Sequence, residues 1–256
     1  MLDTGLDEHI YVKCHYMYLT MKNIVILFIS AFCSCCVAMA DDDYPSISPT
    51  ATFITDDGET VETSYSGSAP LQARFAANPT NVGTWTPHYE WRFTKEGETS
   101  PYLIRYEENT EYTFTQAGAH RIVLYAVFVQ GNDTVAYTED YWNETGPITV
   151  SVSESKLEMP NAFSPNDDGI NDVYKAKSGY QSIVEFHAAI YNRWGQKLYE
   201  WDDPAGGWDG KYNGHLVKQG VYFVQVKAKG ADGRKYNIKK DVNLLTGYTE
   251  GTTSNQ

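Results

Sequence analysis

The sequence predicts an all-β protein of two tandem β-sandwiches behind a cleaved signal peptide. Three observations carry this. Apolar residues alternate with polar ones over most of the chain after residue 40, and no segment there keeps a 3.6-residue apolar period. Turn signals recur about every 8–12 residues. Of the 256 residues, 20 are Tyr, 6 Trp and 10 Phe, and such side chains suit the half-buried surface of a pleated sheet.

The leader comes first. Met21-Lys22-Asn23 precedes the apolar run from Ile24, and Ala38-Met39-Ala40 supplies a small-x-small cleavage pattern before Asp41. This is the layout of a secretory signal peptide over 21–40. Residues 1–20 carry Asp3, Asp7 and Glu8, the wrong charge for a leader, and are read as a misassigned start ahead of Met21, with Met17 a second possible start. All four cysteines, Cys14, Cys33, Cys35 and Cys36, precede the cleavage point. The mature chain is therefore read as free of disulfides, thiol catalysis and Cys-ligated zinc. The alternative is a lipoprotein, with Phe32-Cys33-Ser34-Cys35 as a loose lipobox and Cys35 as the lipidated residue. The apolar run is short for a membrane span, so no transmembrane span is expected in the mature chain.

In the first unit, 41–156, Leu71/Ala73/Phe75, Tyr89/Trp91/Phe93 and Tyr112/Phe114 each place apolar side chains on one face. Arg121 to Val129 is apolar on both faces, as a central strand requires, and Ile148/Val150/Val152 closes the unit. Thr55-Asp56-Asp57-Gly58 and Gln130-Gly131-Asn132-Asp133 read as hairpin turns. Ser153 to Lys156 is polar and reads as the join, and Pro160 blocks regular continuation of the strand before it. In the second unit, 157–247, Val184/Phe186/Ala188/Ile190 alternate, Asn192-Arg193-Trp194-Gly195 turns the chain, and Tyr222/Val224/Val226/Ala228 form an apolar face. Ala231-Asp232-Gly233 makes a hairpin into a last strand carrying Tyr236, Ile238, Val242 and Leu244. The tail 248–256 is polar.

The formal net charge is −13. Nucleic-acid binding needs clustered Lys and Arg, so no nucleic-acid partner is expected, and the same acidity disfavours anionic lipid. No G-x-S-x-G elbow, phosphate loop or H-E-x-x-H occurs, and His88, His120, His187 and His215 are far apart in sequence. No pair among the 33 acids is singled out for glycoside hydrolysis. The chain is read as non-enzymatic.

One local cluster suggests chemistry. Asn166-Asp167-Asp168-Gly169-Ile170-Asn171-Asp172 offers oxygen ligands around a Gly turn, as Ca²⁺ requires. Asn166, Asp168 and Asp172 are the first candidates and Asn171 the fourth; no other cofactor is expected. The preferred reading of the same residues is a tight turn whose Asx side chains bond their own backbone, with Gly169 left-handed. Trp208-Asp209-Gly210 reads as a packed turn with Trp208 plugging the sandwich, in preference to a sugar platform.

The motifs of the second unit carry a resemblance. Pro160-Asn161-Ala162-Phe163-Ser164-Pro165-Asn166-Asp167-Asp168-Gly169-Ile170-Asn171-Asp172, Ile190-Tyr191-Asn192-Arg193-Trp194-Gly195, Gly207-Trp208-Asp209-Gly210 and Gly220-Val221-Tyr222-Phe223 occur in family order. This segment resembles the gliding motility-associated C-terminal domain of Bacteroidetes-type surface proteins. The resemblance implies an immunoglobulin-like sandwich read by type IX secretion machinery and a place on the cell surface or outside the cell. The first unit more loosely resembles immunoglobulin-like repeats named after polycystic kidney disease, through Ala69-Pro70-Leu71, Tyr89-x-Trp91-x-Phe93, and Tyr112-x-Phe114 followed by Gly118. Together they imply an all-β chain of two tandem immunoglobulin-like β-sandwiches, the second for sorting or anchoring, the first for display, adhesion or binding of a surface glycan or protein ligand. The alternative is a carbohydrate-binding module of a surface glycan system.

Overall fold

The computed structural model describes residues 44–246. The leader at 1–40, Cys35 within it, and the tail 248–256 lie outside the described residues. The described chain is all-β apart from one short helix.

The first sandwich packs two sheets. One orders β2 (Gly58–Val61), β1 (Thr50–Thr55), β4 (Leu71–Ala76) and β7 (Asn109–Phe114). The other orders β3 (Ser64–Gly67), β10 (Ile148–Val152), β8 (Gly118–Gln130), β5 (Thr86–Lys95) and β6 (Leu103–Arg105), with β9 (Asp133–Tyr137) beside the far half of β8. The alternation expected from the sequence decides which side chains meet: Phe75 from one sheet lies edge-on to Phe93 of the other, ring centres 5.3 Å apart, with Trp91 at 5.7 Å and Phe114 at 6.5 Å. Tilted and edge-on ring pairs of this kind contribute about 0.5–1.5 kcal/mol each beyond their burial. β8 is central, as its two apolar faces require, pairing with β5 along one edge and with β10 and β9 along the other.

Helix α1 (Glu139–Thr145) was not expected from the sequence. Seven residues give about two turns, too few to repeat an apolar stripe, and Trp142 is its one buried side chain. That side chain fixes the helix: its indole N–H donates to the Leu124 carbonyl over 2.7 Å.

The second sandwich has one regular sheet, in the order β11 (Ala162–Phe163), β17 (Lys235–Leu244), β16 (Gly220–Gly230), β12 (Ile183–Tyr191) and β13 (Lys197–Trp201). The opposing layer is mostly irregular, held by the hairpin of β14 (Lys211–Tyr212) and β15 (His215–Leu216) and by a bridge between Tyr174 and Trp208. Trp208 and Tyr174 are fully buried and meet Phe163 at 5.3 and 5.7 Å, so three aromatic rings fill the space a second sheet would fill. Gly207 is required there: a Cβ would stand 2.4 Å from the Tyr174 carbonyl oxygen.

The polar join is a built contact. Ser155 and Ser182 are 4% and 1% exposed. Ser155 Oγ donates to Asp232 Oδ1 over 2.7 Å, Ser182 Oγ lies 2.8 Å from Ser153 Oγ, and the Ala117 N–H donates to the Ala231 carbonyl. A bulge between Ile183 and Glu185 shifts the register of β12, and Val184 packs against the first core while Phe186, Ala188 and Ile190 pack in the second.

Candidate functional site: the far end of the second sandwich

The motifs that carry the family resemblance divide by burial. Phe163, Ile190, Trp208 and Tyr222 lie in the second core. Gly195 and Gly210 have φ of +80°, a backbone that glycine adopts without steric cost. These residues are explained by folding. Arg193, Trp194, Val221 and Phe223 are not: Trp194 is 75% exposed, Val221 50% and Phe223 43%. A lone exposed apolar side chain is ordinary, but several gathered into one exposed patch mark a contact surface.

These side chains gather at one end because the topology brings them there. Tyr191, the last residue of β12, pairs with Phe223. The turn that follows closes on itself, Asn192 Oδ1 accepting the N–H groups of Trp194 and Gln196. This self-capped turn holds Trp194 out in solvent, with the Arg193 guanidinium 4.2 Å above its ring. Arg193, Trp194, Leu198, Tyr212, Val217 and Val221 line a shallow groove beside it. The first residue of β12, Ile183, pairs with Gly230 next to the join. Nine residues of strand at about 3.3 Å each therefore put Trp194 roughly 25–30 Å beyond the first sandwich.

The Asx-rich loop lies elsewhere on this unit, and its side chains serve the loop. Asp172 Oδ1 accepts the N–H groups of Asn166 and Asp167, and Oδ2 that of Gly169. Asn166 Oδ1 accepts from Asp168 N–H and Asp168 Oδ1 from Ile170 N–H. Asp167, Gly169 and Asn171 have φ of 61°, 83° and 54°. Partial desolvation opposes it, but these backbone bonds draw the Asp172 carboxyl below its ordinary pKa. Asn171 contributes its backbone carbonyl, which accepts from Ser164 N–H. The four residues read as calcium candidates are thus brought together in one turn, where side-chain oxygens of Asn166, Asp168 and Asp172 accept from the turn's own backbone. Among the described residues no three His, Cys, Asp or Glu side chains are grouped to hold a metal.

The histidines stay apart. His120 is buried in the first sandwich, its Nε2–H donating to the Gln116 carbonyl and its Nδ1 accepting from the Tyr102 hydroxyl. His187 lies on the outer face of the second sheet, 2.6 Å from Asp202. No helix among the described residues is long and apolar enough to cross a membrane.

Residues 157–242 match the family model described as the CHU_C Type IX secretion signal domain. The match covers the second sandwich from the join to β17 and contains every residue of the exposed end. No curated protein matches the chain. Among solved structures, SGBP-B of the Bacteroides ovatus mixed-linkage glucan utilization locus, in complex with a mixed-linkage heptasaccharide, aligns over 80% of this chain and 48% of that one. The chain thus spans about half the length of that protein, and at 15% identity and a TM-score of 0.26 the likeness carries nothing about function.

Proposed function

We propose that this is an exported, non-catalytic protein whose second sandwich directs type IX secretion and holds the chain at the cell surface, while the first sandwich displays or binds. The observation that carries the reading is the match of residues 157–242 to a Type IX secretion signal domain. The geometry supports it: the motif residues that the core does not need sit together at the end remote from the first sandwich, where nothing among the described residues obstructs a docking partner. The first sandwich, whose motif order resembles polycystic-kidney-disease repeats, is left free to touch a surface protein or glycan.

A carbohydrate-binding reading of the first sandwich has less support. Its large exposed rings among the described residues are Tyr44, Tyr102 and Tyr106. They come from the first described segment and from the loops either side of β6, and no sheet face presents them as a row.

The test uses a host with type IX secretion. A fluorescent protein carrying a signal peptide is fused to residues 157–256. Surface fluorescence is the expected result, with periplasmic retention of the chain truncated after Lys156. A fusion that stays in the periplasm would overturn the reading.

A further inference from the structure

The net charge of −13 conceals an uneven distribution. Residues 44–156 hold six Lys and Arg against fifteen Asp and Glu, a net −9, whereas residues 157–246 hold twelve against eleven, a net +1. The whole-chain charge argues against anionic surfaces; the second sandwich alone does not.

Its basic groups are also ordered. Along β16 the buried side chains Tyr222, Val224, Val226 and Ala228 alternate with outward-facing Val221, Phe223, Gln225, Lys227 and Lys229. The outer face of this strand is therefore apolar at the Trp194 end and cationic toward the join. On the neighbouring strand Lys239 pairs with Gln225 and Lys235 with Lys229. Lys229 is engaged by Glu185, while Lys227, Lys235 and Lys239 make no ion pair among the described residues. The acids on this face are Glu185, Asp241 beside Phe223, Glu200, which is bonded to Lys197, and Asp202, which is bonded to His187. Arg193 adds a cation at the tip.

We propose that this end of the second sandwich docks on an anionic lipid surface, with Trp194, Val221 and Phe223 entering the headgroup region and Arg193, Lys227 and Lys239 meeting the phosphates. The inference rests on the reading of this end as the one that meets the cell. Phe223 and Lys227 are four residues apart, about 13 Å along the strand, so the apolar and cationic zones are staggered as an interfacial element requires. A Trp projecting from a tight turn suits a soft interface, because an indole is apolar in body and polar at its N–H. A partner protein would instead need a complementary cavity to receive it.

Flotation of residues 41–256 with vesicles tests this. That span holds both cores and lacks the apolar leader, which would bind vesicles on its own account. The expected result is co-flotation with vesicles of phosphatidylcholine mixed with phosphatidylglycerol, weakened by added salt, and little with phosphatidylcholine alone. Trp194→Ala should reduce partitioning about tenfold or more, from the apolar area lost. Lys227→Gln with Lys239→Gln should reduce it about twenty-five-fold, at about fivefold per charge. No flotation with either vesicle, equal flotation with both, or indifference to Trp194→Ala each overturn the proposal. Capture by the host's outer-membrane proteins without vesicle binding assigns the end to a protein partner and overturns it too. The export of the fluorescent fusion is read separately, so the sorting function stands or falls independently of the lipid contact.

Discussion

The Ser182 hydroxyl accepts a hydrogen bond from the backbone N–H of Ala69 over 3.1 Å, joining the two sandwiches across 113 residues of chain. Ser182 sits just before β12 at a φ of 48°, a left-handed backbone uncommon for a residue with a side chain. Its carbonyl accepts from Ala231 N–H and its hydroxyl also meets Ser153. One residue thus fastens the first sandwich, the join and the β16–β17 turn.

Ser182→Ala removes the acceptor and leaves a buried N–H at Ala69. Such a loss costs about 1–3 kcal/mol. Urea unfolding should show a lower midpoint, and limited proteolysis should cut the 153–156 join faster than in the parent. An unchanged midpoint with an uncut join would show that the junction is not held by this bond.

Gly207→Ala should destabilise the second sandwich. The new Cβ would lie 2.4 Å from the Tyr174 carbonyl oxygen and 2.7 Å from Val173 Cγ1, so the Tyr174–Trp208 bridge must open. Overpacking of this kind costs about 1–3 kcal/mol, sometimes more. The readout is the unfolding midpoint together with the emission of Trp208, which should shift toward that of a solvated indole.

Trp194 and Trp208 offer a matched contrast. Trp208→Ala deletes a fully buried ring whose N–H donates to Lys211 O, and should cost about 3–5 kcal/mol. Trp194→Ala deletes a ring 75% exposed and should change stability by no more than about 0.5 kcal/mol. Calorimetry of both variants checks this, and a large loss for Trp194→Ala would mean the ring has a folding role.

Stability should fall in mild acid through His120. Burial, aided by the Lys95 ammonium and opposed by the Gln116 carbonyl, holds its pKa below the ordinary imidazole value. The folded chain therefore binds fewer protons at this ring than the unfolded chain. The contribution is complete above about pH 6.5 and is lost as pH drops from there through the folded pKa. Melting temperatures measured from about pH 7 to pH 5 should decline in the parent, and the decline should be shallower in His120→Gln.

The Asx loop gives a last expectation. Because Asp172 already accepts three backbone N–H groups, Asp172→Ala should lower the melting temperature, and calcium or a chelator should leave that of the parent unchanged. A rise with calcium that vanishes in Asp172→Ala would instead make Asn166, Asp168, Asn171 and Asp172 ligands. Asp172 is depressed in pKa, so its contribution is present above about pH 3.9 and is lost as pH falls through the folded value.

Alternation of apolar residues by itself determined the all-β class, the central place of β8, the inward faces of β4, β5, β10 and β16, and the hairpins at Asp57-Gly58, Gly131-Asn132 and Asp232-Gly233. These follow from a two-residue period and local turn chemistry, both written in consecutive residues. The Asx turn was legible for the same reason, since its bonds span seven residues or fewer. Tertiary structure alone decided the rest. Ser155 and Ser182 look like linker and loop, and only the approach of two sandwiches buries them. Val184 follows the strand period of Phe186, yet a bulge turns it to the other core. Trp194 and Trp208 each stand beside a glycine in a turn; one is solvent-facing and one is enclosed, because the irregular layer folds over Trp208 and nothing among the described residues folds over the β12–β13 turn. Burial is a property of what comes to lie opposite, and that is set by residues far away in the chain.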